Sequence, residues 1–150
     1  MFNRALTITI LFVLVISHNL LAQPTKVTID ENLVTVINGK KIFTIGFTLP
    51  PPPDARAWNG KPAYEELRDA GAVFMRTGPS GKQVWDDHWI AREKAHQAAA
   101  ARAGMYCLPW LNELSAIEPG DKKSEERLPQ VIRMFKDSPG LAFWTSEGEP

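Results

Sequence analysis

From Pro62 onward the chain alternates between helical and extended patterns, and this alternation restricts its folds more than any other feature. Residues 62–70 (PAYEELRDA) place proline in a first helical turn and end at Gly71. Residues 72–77 (AVFMRT) are an apolar strand closed by Gly78 and Pro79. Asp86 or Asp87 can cap a long alanine-rich helix that runs to Ala103 and stops at Gly104. Residues 105–111 form another strand, followed by a polar loop over 112–123. Leu128, Val131, Ile132 and Phe135 then recur at i, i+3, i+4 and i+7, the apolar stripe of a helix. Pro129 predicts that this helix begins near Leu128, and Ser138-Pro139-Gly140 ends it. The last ten residues, 141–150, begin as an apolar run that reads as a closing strand and end in Glu147, Glu149 and Pro150. Strands alternating with helices in this way build right-handed βαβ units and a parallel sheet, an α/β fold.

A different texture precedes this series. Residues 27–30 and 33–37 are β-branched and extended, with a short turn between them. Asn38-Gly39 is a strong hairpin signal, because a type I′ turn needs positive φ at both positions. A return strand is expected over 40–49, halted by four consecutive prolines, Pro50 to Pro53, which cannot join a sheet ladder. Ahead of the hairpin, Arg4, the apolar residues 5–16 and a small residue at Ala22 have the three-part layout of a secretory signal peptide. The apolar stretch falls short of the roughly 20 residues a membrane span needs. Residues 1–22 are therefore expected to be removed, giving a secreted or periplasmic chain of residues 23–150 with no membrane attachment. The lone cysteine, Cys107, suits that compartment and excludes both a disulfide framework and a thiolate zinc site within one chain. A formal net charge of zero gives no electrostatic case for nucleic acid.

Four parallel strands suit either a doubly wound open sheet or the first half of a (β/α)8 TIM barrel preceded by a β-hairpin. No strand is followed by a glycine-rich phosphate loop: residues 77–81 (TGPSG) contain glycine at the wrong spacing. The residues at the strand C-termini favour the barrel. Phe47 and Thr48, Arg76 and Thr77, Trp110 and Asn112, Glu147 and Glu149 would converge on the face where barrel active sites lie.

Three segments resemble a known family. Residues 37–47 (INGKKIFTIGF) are similar to the opening of many retaining (β/α)8-barrel glycoside hydrolases. Residues 67–76 (LRDAGAVFMR) resemble their second strand, where a helix ends at Ala-Gly and the strand reaches Arg. Residues 138–144 (SPGLAFW), with Glu149-Pro150 five residues beyond Trp144, resemble the fourth-strand signature Trp-x-x-x-Asn/Asp-Glu-Pro. The sequence departs from the pattern at Gly148, where the family has Asn or Asp, and at Val73, where it has Asn. The resemblance implies O-glycoside hydrolysis of a poly- or oligosaccharide without a cofactor. It makes Glu149 the acid/base and requires a nucleophilic glutamate on a seventh strand. A barrel takes about 200 residues or more. These 150 residues are thus expected to be the N-terminal portion of a longer protein, inactive alone and prone to self-association.

Retaining hydrolysis uses two carboxylates about 5 to 5.5 Å apart. Glu147 is placed to raise the Glu149 pKa by repulsion, and Arg76 to keep a carboxylate ionised. Trp110 and Trp58 offer flat apolar faces for sugar rings, with Asn112 as a further substrate contact. Glu113 is the substitute acid. His88 and His96 have no acidic or cysteine partner at ligand spacing, so they are expected to be solvated or half-buried helix residues, with no metal site. Neither a nucleophile elbow nor a Ser-His-Asp set is present. A secreted carbohydrate-binding or structural α/β domain is the alternative that needs no acid.

Overall fold

The computed structural model describes residues 23–146. The expected signal peptide, Glu147, Gly148 and Glu149 lie outside the described residues. The chain begins with an antiparallel meander of β1 (Val27–Ile29), β2 (Thr35–Ile37) and β3 (Lys40–Lys41). Asn38 (φ 49°) and Gly39 (φ 79°) make the β2–β3 turn with positive φ at both positions, as their residue types require. The Thr25 hydroxyl donates to the Pro139 carbonyl (2.7 Å), which ties this hairpin to the corner just before residue 141.

A second sheet is parallel. Its strands β4 (Gly46–Phe47), β5 (Phe74–Thr77) and β6 (Tyr106–Pro109) lie in sequence order, alternating with α1 (Ala63–Asp69) and α2 (Asp87–Ala103). Residues 141–145 extend the sheet in the same direction. Leu141 bridges Cys107 and Thr145 bridges Trp110, both in parallel. The Ala142 N–H donates to the Cys107 carbonyl (3.1 Å), and the Thr145 N–H to the Pro109 carbonyl (2.9 Å). Helix α3 (Lys122–Phe135) precedes this segment. The molecule is α/β, with four parallel segments in sequence order.

Two boundaries differ from expectation. The return strand over 40–49 is broken: β3 belongs to the hairpin sheet, while β4 pairs with β5. The chain changes sheets at Phe43–Ile45, where the Ile45 N–H turns back to the Phe43 carbonyl (3.0 Å). Gly46 permits the new pairing, because a Cβ there would sit 2.8 Å from the Phe74 carbonyl oxygen. Helix α3 starts at Lys122 rather than near Leu128. The Asp121 side chain caps it by accepting from the Ser124 N–H (3.3 Å), leaving Pro129 inside the helix. Proline has no N–H to offer the Glu125 carbonyl, a loss that is tolerable because Glu125 is exposed.

Helix α2 follows its sequence signals closely. The Asp86 carboxylate accepts from the Trp89 N–H (2.9 Å), and Gly104 closes the helix at φ 72°. Its inner surface packs Ala99 and Ala100 against Met75 and Cys107 of the sheet and Tyr64 of α1. A second cluster joins Ile90 of α2 to Val131 and Phe135 of α3, to Leu141 and to Trp85. Leu141 is the register partner of Cys107, so all three helices lie on one face of the parallel sheet. Strand alternation puts Phe74, Arg76, Tyr106 and Leu108 on the other face. Phe74 is enclosed there by Tyr106 and Phe143, at ring separations of 6.2 and 5.8 Å. Cys107 is buried mid-strand as a small apolar residue.

Candidate functional site

The C-terminal ends of β4, β5 and β6 open onto a cleft of about 260 Å³. Thr48, Arg76, Thr77 and Trp110 line it from the sheet, and Trp89, Arg92 and His96 from α2. The expected convergence of strand-end residues thus holds for Thr48, Arg76, Thr77 and Trp110. The Arg76 guanidinium carbon lies 4.8 Å from the centre of the Trp110 ring, and that of Arg92 lies 4.9 Å from the Trp89 ring. Each arginine thereby makes a cation–π contact with an aromatic face.

Behind this wall, α2 carries three polar side chains on its buried surface. Glu93 is fully buried, and its Oε1 accepts from the Thr77 hydroxyl (2.9 Å) and from Gln97 Nε2 (2.7 Å). Its Oε2 accepts from the Gly78 N–H (3.1 Å). Burial pushes its pKa from 4.5 up to about 7, against the pull of these three hydrogen bonds. Glu93 anchors the tip of β5, where Gly78 (φ 86°) passes so close to Trp110 that a Cβ would lie 2.7 Å from its backbone nitrogen. His96, only 2% exposed, accepts at Nε2 from Arg92 Nε (3.3 Å). Because guanidinium nitrogen only donates, the His96 proton resides on Nδ1, 2.7 Å from the Tyr64 hydroxyl. Burial, aided by the nearby Arg92 charge, lowers the His96 pKa from 6.5 to about 4 and keeps the ring neutral. Burial likewise pushes the Tyr64 phenol well up. Tyr64, His96 and Arg92 therefore form a chain that fixes the arginine from behind.

The remaining sequence-derived residues are placed differently. Asn112 is 4% exposed and donates its amide to the Gly81 (3.2 Å) and Gln83 carbonyls. At φ 50° it turns under that loop, so it positions backbone and does not reach the cleft. Trp58 is 96% exposed in the loop before α1 and does not line the cleft. Glu113 accepts from the Trp85 N–H (2.6 Å) and faces a separate hollow, beside Asp86 and Arg127. His96 is buried rather than solvated or half-buried, because α2 turns it inward beside Glu93 and Gln97; His88 is exposed. Among the described residues, no cluster of three His, Cys, Asp or Glu could hold a metal, and no helix is long and apolar enough to cross a membrane.

Sequence reading missed Glu93, Gln97, Trp89 and Arg92. A signal for the first two was present: Ile90, Glu93, Gln97 and Ala100 follow one another at helical spacing, so two polar residues fall on the apolar face of α2. A comparison with known protein families and curated proteins finds no matching family model and no curated relative.

Proposed function

We propose that this chain is the N-terminal half of a secreted (β/α)8-barrel glycoside hydrolase, hydrolysing O-glycosidic bonds in its full-length form. The observation that carries this reading is the winding of the parallel sheet. Its strands follow sequence order with every described helix on one face. A doubly wound sheet instead reverses its strand order and covers both faces. The hairpin lies at the opposite end of the sheet from the cleft, as a plug beneath a barrel would. Glu149, four residues beyond the Thr145 that pairs with Trp110, would act as acid/base, and Arg76 would hold a carboxylate ionised.

Retaining cleavage needs a second carboxylate, and the described residues lining the cleft include none. The chain alone is expected to bind saccharide without cleaving it. Assay of the purified chain on a panel of β-glycosides should give no turnover; turnover abolished by Glu149→Gln would overturn this expectation. A second reading, a non-catalytic carbohydrate-binding domain, needs no pair of carboxylates. Saccharide affinity unchanged by Glu149→Gln, with no active longer form, would support that alternative.

Self-association belongs to the barrel reading. Strand β4 pairs only with β5 among the described strands, and Phe43, just before it, is 82% exposed. An apolar open edge recruits other strands. Sedimentation should give concentration-dependent oligomers that Phe43→Lys shifts toward monomer.

A further inference from the structure

We infer that the cleft selects an acidic saccharide, with Arg92 pairing to the carboxylate of a uronate residue; this rests on the saccharide reading above. The cleft is lined by two arginines and, among the described residues, by no aspartate or glutamate. Neither guanidinium lies within ion-pair distance of a described carboxylate, although ion pairs form elsewhere among the described residues. Glu93 makes no ion pair with either arginine: its oxygens accept instead from Thr77, Gly78 and Gln97.

A guanidinium covers one face of each tryptophan, so on that face a ligand meets a cation rather than an apolar ring. The cation–π contact restrains each arginine, and a guanidinium can offer two parallel N–H bonds to a carboxylate. Arg92 is the more fully prepared of the two. Trp89 supports its face, while His96 engages Nε from behind and leaves both terminal nitrogens for a ligand. Arg76 rests on Trp110 but has no such contact at its Nε among the described residues. His96 and Tyr64 are positioning residues: they set the direction of Arg92 without touching the ligand.

The test is calorimetric titration of the purified chain with trisaccharides of glucuronate, galacturonate and mannuronate. Their methyl esters, neutral counterparts and sulfated forms serve as comparison ligands. At least one uronate should bind about 10- to 100-fold tighter than its own methyl ester, the range expected for a charge-assisted pair. Arg92→Gln should remove that difference, Arg92→Lys should restore part of it, and Lys94→Gln, on an exposed position of α2, should leave it intact. Equal binding of acid and ester would overturn the inference while leaving the saccharide reading standing. So would a preference for uronate that survives Arg92→Gln, or a preference for the sulfated ligand. Failure to bind any saccharide would overturn both.

Discussion

Gly140→Ala is expected to destabilise the chain by about 3 kcal/mol or more, at the upper end for overpacking a close contact. A Cβ at this position would lie 2.8 Å from the backbone carbonyl carbon of Gln97, 2.9 Å from its Cα and closer still to its carbonyl oxygen. These atoms lie in the middle of α2, where they cannot yield as the end of a flexible side chain would. Relief requires moving α2 away from the fourth parallel segment or moving that segment. The second course strains the Cys107 N–H to Gly140 carbonyl bond (2.6 Å), which starts the pairing of residues 141–145 with β6. Gly120→Ala is the matched control. Gly120 has open space around its Cβ position and φ 93°, so it should cost only about 1 kcal/mol of backbone strain. Urea unfolding followed by tryptophan fluorescence measures both. If the two variants lose equal stability, the contact between α2 and Gly140 is not what limits the packing.

Gly140 also marks what sequence could and could not reveal. Ser138-Pro139-Gly140 was legible as the end of a helix, because proline and glycine stop helices through local conformation. That the same glycine is needed for a neighbouring helix to approach was not legible, since that contact spans more than forty residues. The same division runs through the fold. Asp86, Gly104 and Asn38-Gly39 act on their immediate neighbours, and the structure places them as their chemistry requires. The break between β3 and β4 depends on a choice between two sheets, and the β-branched and aromatic residues on both sides of Gly46 concealed it. At Pro129, a preference for first turns competed with the Asp121 cap seven residues upstream of Leu128, and the cap set the boundary. In the cleft, Arg76 and Trp110 were readable because strand ends in a parallel sheet project to one side. Trp89 and Arg92 were not, because they come from the helix after the strand. Asn112 shows the converse: the right position on a strand end does not decide whether a side chain turns toward ligand or toward its own loop.

Glu93 should produce a large pH effect, which an opposing effect of similar size at His96 will largely hide in the intact chain. Its folded pKa of about 7 lies above the ordinary 4.5, so between these values the folded chain retains a proton that the unfolded chain has released. Its contribution is therefore full below about pH 4.5 and declines as pH rises to about 7, by about 3 kcal/mol over the interval. His96 acts in the opposite sense. Its folded pKa of about 4 lies below 6.5, so the unfolded chain binds the extra proton and stability rises between about pH 4 and 6.5. The two slopes oppose each other across nearly the same window, and the parent chain should show a shallow profile. Glu93→Gln separates them. Glutamine keeps the volume, and its amide can donate to Gln97 Oε1, a buried oxygen without a hydrogen-bond partner. Near pH 4.5 the variant should match the parent within about 1 kcal/mol. By pH 7.5 it should have gained about 3 kcal/mol relative to the parent, exposing the His96 slope. Glu93→Ala should instead be destabilised throughout by about 3 kcal/mol or more, because Thr77, Gly78 and Gln97 all lose their buried acceptor. Denaturant melts of the three proteins from pH 4 to 8 decide the matter. Parallel profiles for the parent and Glu93→Gln would mean that Glu93 stays ionised in the folded chain, and the β5 tip would then be held by a charge rather than by a neutral acid at low pH.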